Sequence, residues 1–182
     1  MTTGGGGDGR PGPAPVGWAD EASLRSLSTA YAAAADARDG EWLASLFAED
    51  GALVVPKFPT DLRPVVTRRG HDALVQVAEM LRRYDRTFHL VTNHRFAVAG
   101  DTASGEVQCV AHHVSLTGDR SGGSPAGEGT AGTDTVWFIR YRDRYRRSGS
   151  GWRFERRELD LQWVEEHPVT LLGAPAGGAD PE

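Results

Sequence analysis

Thr87-Phe88-His89-Leu90-Val91-Thr92-Asn93 alternates in the manner of a β-strand, placing an imidazole and an amide on one face four residues apart. The run marks a change of character in the chain. Before it, apolar residues recur at helical spacing; after Tyr84, four strand-like segments follow one another. Working backwards, Asp20 to Arg38 carries Leu24, Leu27, Tyr31 and Ala34/Ala35 on one stripe, with Asp20-Glu21 favouring the helix start. Its Ala32-Ala33-Ala34-Ala35 stretch has the highest helix propensity available. Asp39-Gly40 breaks that helix, and a shorter one follows with Trp42, Leu43, Leu46 and Phe47 on its apolar side. Glu49-Asp50-Gly51 turns into a strand, Ala52 to Val55, stopped by Pro56; Lys57 to Arg63 reads as a surface loop and Val65-Val66-Thr67 as a short edge strand. Gly70 then opens a third helix with Leu74, Val77, Ala78 and Leu81 as its buried stripe.

Working forwards, the strands are Thr87–Val98, Thr102–Leu116, Asp134–Arg147 and Gly151–Val164. Ala99-Gly100-Asp101 and Ser148-Gly149-Ser150-Gly151 join them as hairpins. A Gly/Ser-rich segment, 117–133, reads as a flexible hairpin loop. Helices first and long strands later predict an α+β domain, with helices on one face of a curved, mostly antiparallel sheet. The Gly/Pro-rich residues 1–17 and 171–182 are too poor in large apolar groups to offset the entropy of ordering and read as disordered tails, leaving one domain over 18–170.

Composition narrows the function classes. Net charge is −5, although all but one of the twenty basic residues are Arg. Alternate arginines near Asp143, Glu155, Glu158 and Asp160 read as a solvated, ion-paired face, and the overall charge is wrong for nucleic acid. The start of the chain lacks the apolar core of a signal peptide and no run is long enough to span a membrane, so a cytoplasmic protein without a membrane partner is expected. A single Cys109 excludes an internal disulfide and fits a reducing compartment. Neither three convergent metal ligands nor a phosphate-binding glycine loop can be drawn, so chemistry without metal or cofactor is expected. The Ala-, Gly- and Arg-rich composition is associated with bacteria rich in secondary metabolism.

The residues that carry chemistry lie in three places. His89 has the near-neutral pKa range that a general base needs. Of the adjacent His112 and His113, strand alternation lets only one enter a pocket. His113 shares the small apolar face Ala103, Gly105, Val107, Cys109, Ala111, so it is the candidate. Tyr31 and Asp36 are five residues apart, about 140° around a helix. Both reach one cavity only if the helix end lies across its mouth. One warning attaches to His89: the face with Leu90, Thr92, His94, Phe96 and Val98 is the more apolar one, and without a bulge the helices would cover it instead.

Taken in order, the helix with Tyr31 and Asp36, the run Asp39-Gly40-Glu41-Trp42-Leu43-Ala44-Ser45-Leu46-Phe47-Ala48-Glu49-Asp50-Gly51, the helix after Gly70-His71-Asp72-Ala73-Leu74, His89-x3-Asn93, Gly100-Asp101-x-Ala103, Arg140-Tyr141-x-Asp143 and Trp152-Arg153-Phe154-x2-Arg157 resemble the SnoaL-like members of the nuclear transport factor 2-like superfamily. The superfamily includes scytalone dehydratase, bile acid dehydratase and ketosteroid isomerase, and also cyclases, epoxide hydrolases and non-catalytic modules. The resemblance implies a cone-shaped half-barrel, three helices packed on a strongly curved sheet around a deep apolar pocket. It matches Tyr31 and Asp36 to the phenol and carboxylate on the dehydratases' first helix, His89 to their catalytic histidine, and His113 or His112 to a second histidine. It leaves open which of Arg140, Arg156 and Arg157 enters the pocket.

The expected activity is therefore dehydratase, cyclase or isomerase chemistry next to a carbonyl on a small hydrophobic, cyclic or polyketide-like molecule. His89 would remove the proton and Tyr31 would stabilise the enolate. His113 or the same imidazole would protonate a departing hydroxyl, with Asp36 orienting His89. Substrate contacts are expected from Asn93, Arg157, Trp42 and Phe58, although Asn93 also suits backbone support, Arg157 a pair with Asp143, and Trp42 a core or subunit interface. A homodimer or other homo-oligomer is expected, and a non-catalytic ligand-binding or assembly module of the same fold is the alternative.

Overall fold

The structure, a computed structural model, describes residues 16–117, 129–149 and 151–172. Three helices, α1 (Trp18–Ala37), α2 (Gly40–Ser45) and α3 (His71–Leu81), cover one face of a six-stranded sheet. Its strands are β1 (Phe47–Lys57), β2 (Asp61–Arg69), β3 (Arg86–Ala99), β4 (Thr102–Leu116), β5 (Thr130–Ser148) and β6 (Gly151–Leu171), in the order β2-β1-β6-β5-β4-β3. Among these, β1 and β6 run parallel and the other neighbours are antiparallel. The sheet is curled and open, and the α+β half-barrel expected from the sequence is the fold observed.

α1 buries Leu24, Leu27, Tyr31, Ala34 and Ala35. It ends where Arg38 adopts a left-handed conformation (φ 56°) and the Asp39 amide donates back to the Ala34 carbonyl. The Asp39 carboxylate then caps α2 by accepting from the Trp42 amide at 2.9 Å. At Gly40 a Cβ would stand 2.8 Å from both the side chain and the backbone carbonyl of Val75, so α2 and α3 approach as closely as they do only because no side chain intervenes.

Several boundaries differ from the sequence reading. Phe47 opens β1 rather than closing α2, and β1 runs through Pro56 with a register shift there. Of the stretch read as a loop, 57–63, only 58–60 form a turn; Lys57 ends β1 and 61–63 open β2. β5 starts at Thr130, so 130–133 are paired strand; residues 118–128 of the expected loop, 1–15 of the N-terminal segment and 173–182 of the C-terminal one lie outside the described residues.

Two of the bulges set which faces of β3 and β6 turn inward at the site. In β3 the register shifts between Thr92 and Arg95, with Asn93 in the left-handed region (φ 50°). Thr87, His89 and Val91 point inward before it, and His94, Phe96 and Val98 after it, so both halves of the strand present their better inner face. In β6 an extra residue, Glu155, does the same: Trp152 and Phe154 are buried, and beyond it Arg157, Leu159 and Leu161. The outer face carries paired charges, Arg142 with Asp160 and Arg156 with Glu158, together with exposed Phe88, Leu90 and Trp163. No helix among the described residues is long and apolar enough to cross a membrane.

Candidate active site

The concave side of the sheet and helices α1 and α3 enclose a cavity of about 280 Å³. Leu53, Val55, Val66, Val77, Leu81, Ile139 and Leu159 make most of its wall apolar. Into it face Tyr31, His89, His113, Trp137 and Tyr141, with Phe58 at the opening, its ring 5.2 Å from that of Trp137.

His89 is held by Asp36. The Nδ1–H donates to Asp36 Oδ1 at 2.6 Å, and the backbone N–H of His89 donates to Asp36 Oδ2 at 2.9 Å. A carboxylate only accepts, so Nδ1 carries a proton, and in the neutral ring it is Nε2 that presents a lone pair. Burial raises the Asp36 carboxyl, but the two hydrogen bonds from His89 outweigh burial and hold it below its ordinary range. Asp36 occupies the last turn of α1, and Arg38 ties that end down by donating to the carbonyls of Tyr84 (2.8 Å) and Asp85 (3.1 Å), just before β3. The helix end thus crosses the edge of the cavity: Tyr31 looks into it, while Asp36 reaches His89 from behind.

His113 is 3% exposed, and its Nδ1–H donates to the Thr135 carbonyl at 3.1 Å. Burial, helped by the nearby His89 and Arg83, pushes its pKa down to about 4. It is therefore neutral at neutral pH, with Nε2 an acceptor facing the cavity. His112 points to the other side and pairs with Asp134 at 2.6 Å.

The displaced titration of His113 has a thermodynamic consequence. Between the unfolded value of 6.5 and about 4 the unfolded chain binds the proton and the folded chain does not. Stability from this group is complete above pH 6.5 and is lost as pH falls toward 4, at up to about 1.4 kcal/mol per pH unit. Urea unfolding at several pH values is expected to show that slope, and His113→Gln is expected to flatten it.

Tyr31 is 4% exposed, and burial outweighs the nearby Arg157 cation to hold its phenol well above its usual range, protonated and able to donate. Its hydroxyl has no hydrogen-bond partner among the described residues. Cys109 is buried and its thiol is raised to about 11, chiefly by burial, so it is not a nucleophile.

Three residues expected to touch substrate lie outside the cavity wall. Asn93 sits on the bulge and donates to Gln108 at 2.6 Å on the outer side. Arg157 is fully buried beneath the cavity, bidentate on Asp143 (2.9 and 2.8 Å), with its guanidinium 4.4 Å from the Tyr31 ring centroid. Trp42 is exposed on α2. Conversely, the sequence reading missed Trp137, Lys57, Arg68 and Arg83, all of which line the cavity. Arg68 was legible: strand alternation puts it on the same face as Val66. Among the described residues no group of three or more His, Cys, Asp or Glu is gathered to hold a metal ion.

A curled sheet over three helices, enclosing an apolar cavity, places the protein in the nuclear transport factor 2-like superfamily. The SnoaL-like domain profile matches residues 18–158, and the chain belongs to that family. Among solved structures, Rv3472, a Mycobacterium tuberculosis protein of unknown function, is 26% identical over 80% of this chain and 73% of its own, with a TM-score of 0.59. A proposed scytalone dehydratase from Novosphingobium aromaticivorans is 21% identical over 89% and 96%, with a TM-score of 0.62. The hexachlorocyclohexane dehydrochlorinase LinA-type3 from Novosphingobium barchaimii LL02 is 16% identical over 88% and 96%, with a TM-score of 0.62. No curated protein matches the chain.

Proposed function

We propose that the protein is a cofactor-independent lyase that eliminates water, or a comparable leaving group, next to a carbonyl on a small hydrophobic cyclic or polyketide-like molecule. The observation that carries this reading is the Asp36–His89 pair, with the free Nε2 of a carboxylate-anchored imidazole beside an apolar cavity. His89 Nε2 takes the proton α to the carbonyl, and the C–H electrons move to the carbonyl oxygen, where the Tyr31 hydroxyl donates. The enolate then collapses, the bond to the β-hydroxyl breaks, and the His89 imidazolium returns its proton to the departing oxygen, releasing water and a conjugated carbonyl. Asp36 stabilises the imidazolium between these steps, and His113 accepts a hydrogen bond from the hydroxyl before it leaves. A donor such as Tyr31 is worth about 3 kcal/mol at the transition state.

The test uses cyclic β-hydroxy ketones in D2O, following enone absorbance and deuterium at the α-carbon by mass spectrometry. Turnover or α-exchange is expected from the wild type. Asp36→Asn is expected to lower kcat by about a hundredfold or more, because an amide offers one acceptor oxygen where two donors converge and disturbs the tautomer; KM should move little. Ligand binding without exchange at any α-carbon would instead mark a non-catalytic binding module.

A further inference from the structure

The cavity holds a charge imbalance that the elimination chemistry does not use. Lys57, Arg68 and Arg83 line it, and no Asp or Glu does. None of the three has a carboxylate partner among the described residues. Arg83 donates only to the Tyr84 hydroxyl at 2.8 Å, its guanidinium 4.7 Å from that ring centroid, and the Arg68 Nε is buried without any hydrogen bond. On the outer sheet face the pattern is the opposite, since Arg95, Arg142, Arg146 and Arg156 each meet a carboxylate. Three like charges around an apolar concavity repel one another, and the half-buried Arg68 is also stripped of water. Such an arrangement favours negative charge.

Their placement says where that charge belongs. Lys57 and Arg83 are exposed at the rim, while Arg68 lies deeper on β2. β2 and β3 are the two edges of the sheet, and the curl brings both into one cavity wall, so Arg68 and His89 stand on opposite sides of it.

We infer that the molecule bound here is an organic anion, its carboxylate-type group held by Arg68 and the rim cations while its apolar body lies against His89 and Trp137. The inference rests on reading this cavity as the substrate site. An oxyanion fits the guanidinium fork and satisfies the orphaned Arg68 Nε–H, and the rim charges draw anions toward the opening.

The probes are 1-naphthylacetate and its neutral amide, 1-naphthylacetamide, compared by calorimetric titration on the intact protein. The acid is expected to bind about tenfold more tightly than the amide at low salt, a preference that shrinks as salt is raised. Arg68→Gln and Arg83→Gln are each expected to weaken the acid about fivefold and leave the amide within about twofold. Arg68→Lys, which keeps the charge and the fold, should retain part of the preference. His89→Gln should leave the preference intact while removing turnover, so the binding arm and the lyase arm fail separately. Equal affinity for acid and amide, a preference that survives the Arg68→Gln/Arg83→Gln double variant, or no binding of either probe overturns the inference.

Discussion

His89→Gln is expected to reduce turnover by about a hundred- to ten-thousandfold, the usual contribution of a positioned general base. Glutamine preserves bulk and can still donate to Asp36 Oδ1, so the carboxylate that anchors position 89 keeps a partner and the last turn of α1 stays in place. What disappears is the lone pair that the imidazole presents to the cavity. The loss should therefore fall on kcat, with KM for the same ketone nearly unchanged and the thermal midpoint close to wild type. Deuterium incorporation at the α-carbon should vanish in parallel with product formation, because both depend on the same proton transfer. A variant that retains a third of wild-type activity would remove His89 from the mechanism.

Arg157→Met is expected to destabilise the fold by about 3–5 kcal/mol, the cost of leaving a buried charge without its partner. Asp143 is as deeply buried as Arg157 and already accepts from the Tyr145 hydroxyl at 2.7 Å, so one weak donor would remain to it. The guanidinium also packs 4.1 to 4.4 Å from the ring centroids of Tyr31, Tyr141 and Phe154, an aromatic cage that a thioether fills in volume but not in charge. Chemical denaturation should show the loss in Arg157→Met, and the double variant Arg157→Met/Asp143→Leu should recover most of it by removing both charges. If the single variant unfolds at the wild-type midpoint, the pair does not stabilise the core between β5 and β6. Because the guanidinium lies beneath Tyr31, a folded single variant is also expected to have a weaker phenol donor.

Much of this was legible because the inner face of β4 alternates without interruption. Ala103, Val107, Cys109, Ala111 and His113 could be assigned to the interior by parity alone, and they are buried. The helix stripes were equally readable, since α1 and α3 repeat at 3.6 residues over more than two turns. What parity could not supply were the points where it changes. At Asn93 and at Glu155 one extra residue reverses the faces, which is how His89 and Phe96 come to share an interior and how Arg157 points inward beneath the cavity instead of outward to solvent. Asn93 offered a clue, asparagine being among the few residues that tolerate positive φ. Phe47 and the 57–63 segment misled for another reason: short apolar runs beside prolines carry no decisive period, and pairing with distant β6 and β2 settled them. The cations in the cavity were hidden because charged residues are ordinarily assigned to water.

The irregularity at Asn93 acts as a phase shifter within a single strand. Upstream of it side chains are chosen for reactivity, and downstream for packing, and neither half constrains the parity of the other. Were Asn93 paired as an ordinary strand residue while the downstream half kept its register, Phe88 would replace His89 at the cavity, converting a reactive lining into a greasy one without a single substitution.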